Sequence, residues 1–337
     1  MHARFSPCSV RMSRPRNRVP EMKYVVIVNP HARDGRSGKV AGRCLELLSR
    51  SEHRIEHVEV RTFDDARVLS AEANSRDADV VVAIGGDGTI NKVLNGFFDH
   101  DGRLVGRARF GVVHTGTSPD FCRSYDVPLR PEDAVEALLR RRTRSIPVGM
   151  IRFPRSSMLP ADAAPETRPV SYFGCCANIG LGASLAARAN AGIRKRLGDT
   201  LGTFLSLLHV LREYTPWDST AEIDGVQQYM SSMFNLSVGL TPYIASGIKV
   251  ANEEMRERDE FYLMTLRNLT LRTLVPALHR IYRGRPFANT DYLSLRGCHS
   301  ITIPAGDMQI EVEQDGDPCG HLPCTIEMAK DRLELIY

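Results

Sequence analysis

The residues of this sequence best suited to chemistry sit in a few short loops. Gly85-Gly86-Asp87-Gly88-Thr89, with Ile90 and Asn91 behind it, ends one apolar run just as a second apolar pattern begins. Asn29-Pro30 opens another loop that contains glycines, and His114-Thr115-Gly116-Thr117 leads into Asp120 and Phe121. Glycines at the end of a strand let backbone N–H groups approach an anion, and a helix starting there adds its positive end. A Gly-Gly turn that holds an aspartate, with a second Gly-Thr loop, therefore points to a phosphate cradle. Its spacing is neither the G-x-x-x-x-G-K-[ST] nucleotide loop nor the G-x-G-x-x-G dinucleotide fingerprint. A fourth stretch, Asp315-Gly316-Asp317, lies between alternating strand-like residues, and on local grounds its Asp-Gly is a hairpin turn.

Such loops act together only if a scaffold brings them to one edge. From Lys23 to about Ile146 the pattern alternates strand and helix. Tyr24–Val28 and "ADVVVAI" are solid apolar runs, as in strands covered on both faces, and Ile90, Val93, Leu94 and Phe97 fall at helical spacing. "RPEDAVEALLRR" places Pro131 and two acids in a first helical turn and arginines in the last. Strands alternating with helices predict a doubly wound parallel sheet, whose strands all end on one ligand-binding edge. After about Val148 the character changes. A proline- and alanine-rich loop precedes mostly strand-like segments, among them "VSYFGCCANIG", "QQYMSSMFNLSVGL" and "MQIEVEQDG", broken by two helices at 196–214 and 271–284. The fold class expected is α/β: an N-terminal parallel-sheet nucleotide-binding domain over 23–148 and a C-terminal β-rich, antiparallel domain over 149–330. Residues 1–22 read as a disordered basic arm, and 331–337 as a final strand returning to the first domain.

Composition narrows the partners. The 337 residues are 42% hydrophobic and 25% charged, with a net charge of +4, as in a globular protein that tolerates a nucleotide or an anionic membrane and requires neither. No apolar stretch is long enough for a membrane span, and no secretory leader is apparent at the start. The eight cysteines lack the paired C-x2-C spacing of a zinc site and read as reduced thiols. His114 and His321 flank the motifs without a partner that the sequence identifies, and are read as non-catalytic.

"GGDGTIN", with "NGF" behind it, resembles the nucleotide loop of the diacylglycerol kinase catalytic-domain family, whose relatives include sphingosine and ceramide kinases. "NP" at 29–30, "GTSPDFCRSYDVP", "NIGLGA" at 178–183 and "DGDPCGHLP" resemble further motifs of that family in the same order, from about residue 23 to 337. The resemblance implies an ATP-dependent lipid kinase acting on the hydroxyl of a diacylglycerol-like or long-chain lipid. A NAD kinase-like enzyme, or a nucleotide- or lipid-binding protein with degenerate catalysis, is the alternative. By the same resemblance Asn29, Thr62, Gly85, Gly86, Asp87, Gly88, Thr89, Ile90, Asn91 and Thr117 match positions that contact ATP. Asp87 and Asp120 match acids that organise Mg²⁺, Asp259 matches the acid of a structural Mg²⁺ site, and Asp315 matches the presumed base, with Asp317 beside it. Phosphoryl transfer suits this set, since it needs positioning, charge neutralisation and a carboxylate for the hydroxyl proton. The implied partner is a lipid at a membrane surface, met by a cytoplasmic, peripheral protein. No nucleic-acid partner is expected, and the oligomeric state is open, a homodimer included.

Departures from the family pattern fall close to the expected site. Lys92 stands where members usually carry Glu, Pro119 where the loop usually has Asn, and Pro147 where an Asp often follows the first domain. Asp317 is a methylene shorter than the usual Glu, and Glu260 replaces a Gly after Asp259.

Overall fold

The computed structural model describes residues 21–30, 36–62, 64–154, 170–183, 214–244, 248–251, 253–270, 272–273 and 289–337. Nearly all of the expected basic arm and of the two helices expected at 196–214 and 271–284 lies outside the described residues.

The run Val-Val-Val-Ala-Ile makes β3 (Val80–Gly85), which is buried at every position, as a strand covered on both faces must be. It pairs on one side with β1 (Lys23–Val28), which pairs with β2 (Arg54–Glu59), and on the other with β4 (Arg109–His114). All four are parallel, so their carboxyl ends share one edge. The connections include α1 (Arg36–Ser49), α2 (Asp65–Ser75) and α3 (Asp87–Asn95); after β4 come the short α4 (Asp120–Ser124) and α5 (Pro131–Arg140). The chain runs from β1 out to β2, then back past β1 to β3. Winding thus reverses between β1 and β3, where open α/β sheets bind ligands. Cys44, Leu48 and Leu138 of α1 and α5 pack on Val26, Val82 and Ile84, while Ala66, Ile90 and Val93 of α2 and α3 cover the opposite face.

The far side of this sheet is closed by the distant end of the chain. β19 (Leu333–Ile336) lies between β4, to which it is parallel, and β5 (Thr143–Ile146), to which it is antiparallel.

Among the described residues the second sheet has eleven strands, and every pair in it is antiparallel. Its spine runs β17 (Asp317–His321), β16 (Glu311–Gln314), β8 (Cys176–Gly180), β10 (Val226–Gly239), β9 (Trp217–Ile223), β15 (Ile301–Ile303), β18 (Cys324–Met328), β6 (Gly149–Arg152), β7 (Val170–Phe173). β13 (Phe261–Arg267) branches from β10 and carries β14 (Leu293–Cys298). β11 (Tyr243–Ile244) and β12 (Ile248–Lys249) form a separate ribbon, and a one-turn helix α6 (Glu253–Glu257) precedes β13.

Two features position the site. The stretch that the sequence suggests as one strand, "VSYFGCCANIG", breaks at Gly174-Cys175 into β7 and β8. In addition, α3 and the turn after it are shared between the halves: Leu94 of the helix and Phe97 and Phe98 just beyond it join Phe121, Tyr125, Met150, Tyr172 and Cys175 in one buried cluster. Phe98 stacks on Tyr172 with ring centroids 4.8 Å apart. The glycine loop is therefore mounted on a helix that the second sheet also grips.

Candidate functional site

The loops after β1, β3 and β4 meet at the carboxyl edge of the parallel sheet. The Asn29 side-chain amide donates to Thr89 Oγ1 at 2.9 Å, and the Asn29 N–H to the Ile84 carbonyl at 3.0 Å. Gly85 has to be glycine, because a Cβ there would come within 2.5 Å of the Thr89 side chain. Gly86 lies against Gly116: a Cβ on Gly116 would stand 2.6 Å from the Gly86 Cα. Two backbones in direct contact leave the loop flat and its N–H groups accessible. Asp87, Gly88 and Thr89 form the first turn of α3, and among the described residues no side chain caps that helix, so the donors of its first turn face outward, as a phosphate would need. Ile90 faces the core, is 1% exposed, and its N–H donates to the Gly86 carbonyl at 3.0 Å, so it braces the loop from behind. Thr117 lines a cavity of about 290 Å³ with Ser37, His114, Thr115, Arg123 and Pro131. Thr62 lies on the same edge, after β2; its hydroxyl and N–H bond to Asp65, at 2.7 and 2.9 Å, and tie down the start of α2.

The Asp-Gly turn of the sequence is a hairpin turn and also a site element. Asp315 and Gly316 join β16 to β17 with φ of +46° and +92°, the left-handed pair that suits Asp-Gly in a two-residue hairpin. The Asp315 carboxylate is surrounded by donors. Oδ1 accepts the Cys175 and Cys176 N–H at 2.8 and 3.0 Å; Oδ2 accepts the Gly174 N–H at 2.8 Å and the Asn91 amide at 2.9 Å. All four lone-pair directions of the carboxylate are thus filled. Burial raises its pKa, against the pull of these N–H groups. Asn91 also donates to the Tyr172 carbonyl at 2.9 Å and is 1% exposed. Its amide couples α3 to the second sheet. Asn95, one turn on, does the same by exchanging two hydrogen bonds with the Tyr172 backbone, at 2.7 and 2.8 Å.

Four acids gather around this junction. Burial, with the charges of Asp120, Asp315 and Asp317, pushes Asp87 up to about 8. Its Oδ1 is buried without a hydrogen bond among the described residues and stands 3.7 Å from His114 Nε2, a partner for His114 that the sequence does not reveal. Asp120 is buried at the start of α4 and accepts the Ser118 hydroxyl at 3.2 Å. Burial pushes Asp317 up to about 6, although the Lys92 charge holds it down, and its Oδ2 is buried without a hydrogen bond among the described residues. Among the described residues no three acid, histidine or cysteine side chains come together as a closed metal site, so a hard dication here would rest on one or two carboxylates, such as the orphaned Asp87 Oδ1, and on ligands from elsewhere. Lys92 itself pairs with Asp64 at 2.7 Å.

Asp259 is not brought to this cluster. It is an exposed residue at φ +55° before β13, and its carboxylate accepts from Arg332 at 2.9 Å. The same guanidinium reaches the Ser145 carbonyl at 3.3 Å, so an arginine, rather than a set of further acids, faces Asp259. The N–H groups of Gly174, Cys175 and Cys176, together with Glu313 and Asn178 next to the turn, escape a reading of side-chain types. The one available signal is Gly174, a glycine inside a strand pattern, which marks close backbone approach; a Cβ there would lie 2.7 Å from Phe121.

Comparison with known proteins gives a consistent picture. The model of the diacylglycerol kinase catalytic domain matches residues 23–151, and that of the YegS C-terminal NAD kinase beta sandwich-like domain matches 176–337. The chain is 25% identical over 262 residues to a diacylglycerol kinase of Bacillus subtilis, covering 77% of this chain and 78% of that one. It is 23% identical over 314 residues to a diacylglycerol kinase of Staphylococcus haemolyticus, covering 92% and 86%. A crystal structure of a diacylglycerol kinase from Bacillus anthracis superposes with a TM-score of 0.64 at 18% identity, over 94% of this chain and 97% of that one.

Proposed function

The chain belongs to the diacylglycerol kinase catalytic-domain family of lipid kinases, and from that premise we propose that it transfers the γ-phosphate of ATP to the hydroxyl of a diacylglycerol-like or long-chain lipid. The observation that carries this reading is the 2.9 Å bond from Asn91 to Asp315. It joins the uncapped helix behind the glycine loop to an acidic turn of the other sheet, so a phosphate and a proton acceptor are held across one junction.

Each residue has a task in the transfer. The N–H groups at the start of α3 and the Gly86–Gly116 contact bind the phosphates. Asp87 and Asp120 would hold Mg²⁺, which supplies neutralisation of the phosphate charge when bound. Asp315 keeps the turn in place through its four hydrogen bonds. Asp317, whose carboxylate is not held by backbone amides among the described residues, takes the hydroxyl proton; this assigns to Asp317 the base role that family resemblance gives to Asp315. Lys92 holds down the Asp317 carboxyl and so favours its ionised, proton-accepting form.

Gly86→Val would force a branched side chain between two loops whose backbones touch. By calorimetry, ATP affinity should fall by at least about tenfold, equivalent to roughly 1.4 kcal/mol. A folded variant with unchanged affinity would remove the glycine loop from the nucleotide site.

Among the described residues no helix is long and apolar enough to cross a membrane. A diacyl substrate, however, lies in a bilayer, and the net charge is +4, so the enzyme is read as meeting its substrate at an anionic surface. The deciding assay supplies labelled ATP with diacylglycerol in anionic vesicles, with a total lipid extract, or with NAD. Label should pass to lipid, at a rate that falls as salt rises. Label on NAD would favour the NAD kinase-like alternative, and ATP binding with no acceptor labelled would leave a binding protein.

A further inference from the structure

We propose that Glu313 is a positioning residue for phosphoryl transfer, a buried clamp that fixes the turn carrying Asp315 and Asp317. The inference rests on the kinase reading above. Glu313 lies on β16 two residues before Asp315 and is 3% exposed. Its Oε2 accepts the Gly316 N–H at 2.6 Å. Its Oε1 accepts the side-chain amide of Asn178, the residue opposite it on β8.

A line of hydrogen bonds continues from Asn178, and its directions are set at both ends by backbone N–H groups, which can only donate. At the far end the Gly182 N–H donates to Asn235 Oδ1 at 2.7 Å, so the Asn235 NH₂ must point the other way, to Ser237 Oγ at 2.9 Å. The Ser237 hydroxyl then donates to Asn178 Oδ1, and this turns the Asn178 NH₂ toward Glu313. At the near end the Gly316 N–H also donates to Glu313. Glu313 is therefore required to accept on both oxygens, which among side chains of its size only a carboxylate can do. Burial opposes this and pushes the group up to about 8, while Asn178 and the Gly316 N–H pull it back.

The clamp matters because the turn carries the acids of the transfer. If Glu313 releases Gly316, the turn loses the bond that ties Gly316 back to β16, and Asp317, the next residue along, shifts with it. A misplacement of about 1 Å near the reacting groups can reduce a rate roughly 10²-fold.

Glu313→Gln keeps the shape but puts an NH₂ against either the Gly316 N–H or the Asn178 amide. Measured above pH 8, where the wild-type group is ionised, this variant should lose kcat by roughly 10–100-fold with little change in KM for ATP. Exchange of the Gly174, Cys175 and Cys176 amides, which bond Asp315, should quicken by NMR. Adding Asn178→Asp to Glu313→Gln restores every direction. The new side-chain amide on β16 then accepts from Gly316 and donates to the new carboxylate on β8, which accepts from Ser237 and Asn235. The double variant should regain most of kcat and of the amide protection. The proposal fails if Glu313→Gln keeps its kcat, if it only lowers Tm, or if the double variant is no better than the single one. Should the wild type transfer no phosphate, the kinase reading falls alone, because amide exchange needs no catalysis and still decides whether Glu313 fixes the turn.

Discussion

Asp317→Asn should lose turnover by roughly 10²–10⁴-fold, the usual worth of a positioned base, with Tm nearly unchanged. Oδ2 of Asp317 has no hydrogen bond to lose among the described residues, so an amide in its place strands none of them. Asp315→Asn should behave differently and damage activity and stability together. Whichever way its amide turns, an NH₂ would face two N–H donors, and a buried donor left without an acceptor costs about 1–3 kcal/mol. Turnover and thermal melts of the two variants therefore separate base from anchor. A stable, inactive Asp315→Asn beside an active Asp317→Asn would return the base to Asp315. The pH profile offers a further check. With Asp317 pushed up to about 6, kcat/KM should fall as pH drops below that value, because the protonated acid accepts nothing. Lys92→Met removes the charge that holds Asp317 down and should move this acid limb to higher pH.

Asp87→Asn should yield a protein that is inactive and yet harder to melt. The folded pKa of Asp87, about 8, lies above its ordinary 3.8. Between those values the folded state binds a proton that the unfolded state lacks, so stability falls as pH rises, and the whole penalty is present above about 8. A neutral amide removes that penalty and relieves the repulsion from Asp120, Asp315 and Asp317. Without added metal, Tm should rise relative to wild type, and the gain should grow from acid to alkaline pH. Turnover should drop by several orders of magnitude with the loss of the acid proposed to hold Mg²⁺. A fall in Tm at high pH would mean that the four acids do not repel one another in the free protein.

The parallel sheet was legible because its signals are local. Val80–Ile84 can only be a strand covered on both faces, and Ile90, Val93 and Leu94 can only be the buried stripe of a helix. The glycine loop was equally plain, as Gly85, Gly86 and Asp87 are contiguous. The partners of Asp315 were not legible, since three of them are backbone N–H groups that no residue type advertises, and the fourth, Asn91, is more than two hundred positions away. Asp315 read as a hairpin turn and Asp315 read as a site acid stood as rivals, yet φ of +46° and four accepted hydrogen bonds belong to the same residue. For Asn91 a match to a loop motif says where the residue lies, not which way its amide points, and here the amide faces Asp315 and Tyr172. His114 gained its neighbour Asp87 from the side-by-side register of β3 and β4, a pairing that sequence spacing does not encode.

Leu333–Ile336 completes the first sheet only after the entire second sheet has been made, pairing Leu335 with Phe110. During synthesis the nucleotide half therefore emerges with β4 as an open edge, liable to stray pairing. It cannot close as an autonomous unit in the way that successive domains on one chain commonly do. A contact of such sequence separation slows folding. In return, the two halves are bound into one cooperative structure, and the first sheet is not present in final form without the strand that follows the second.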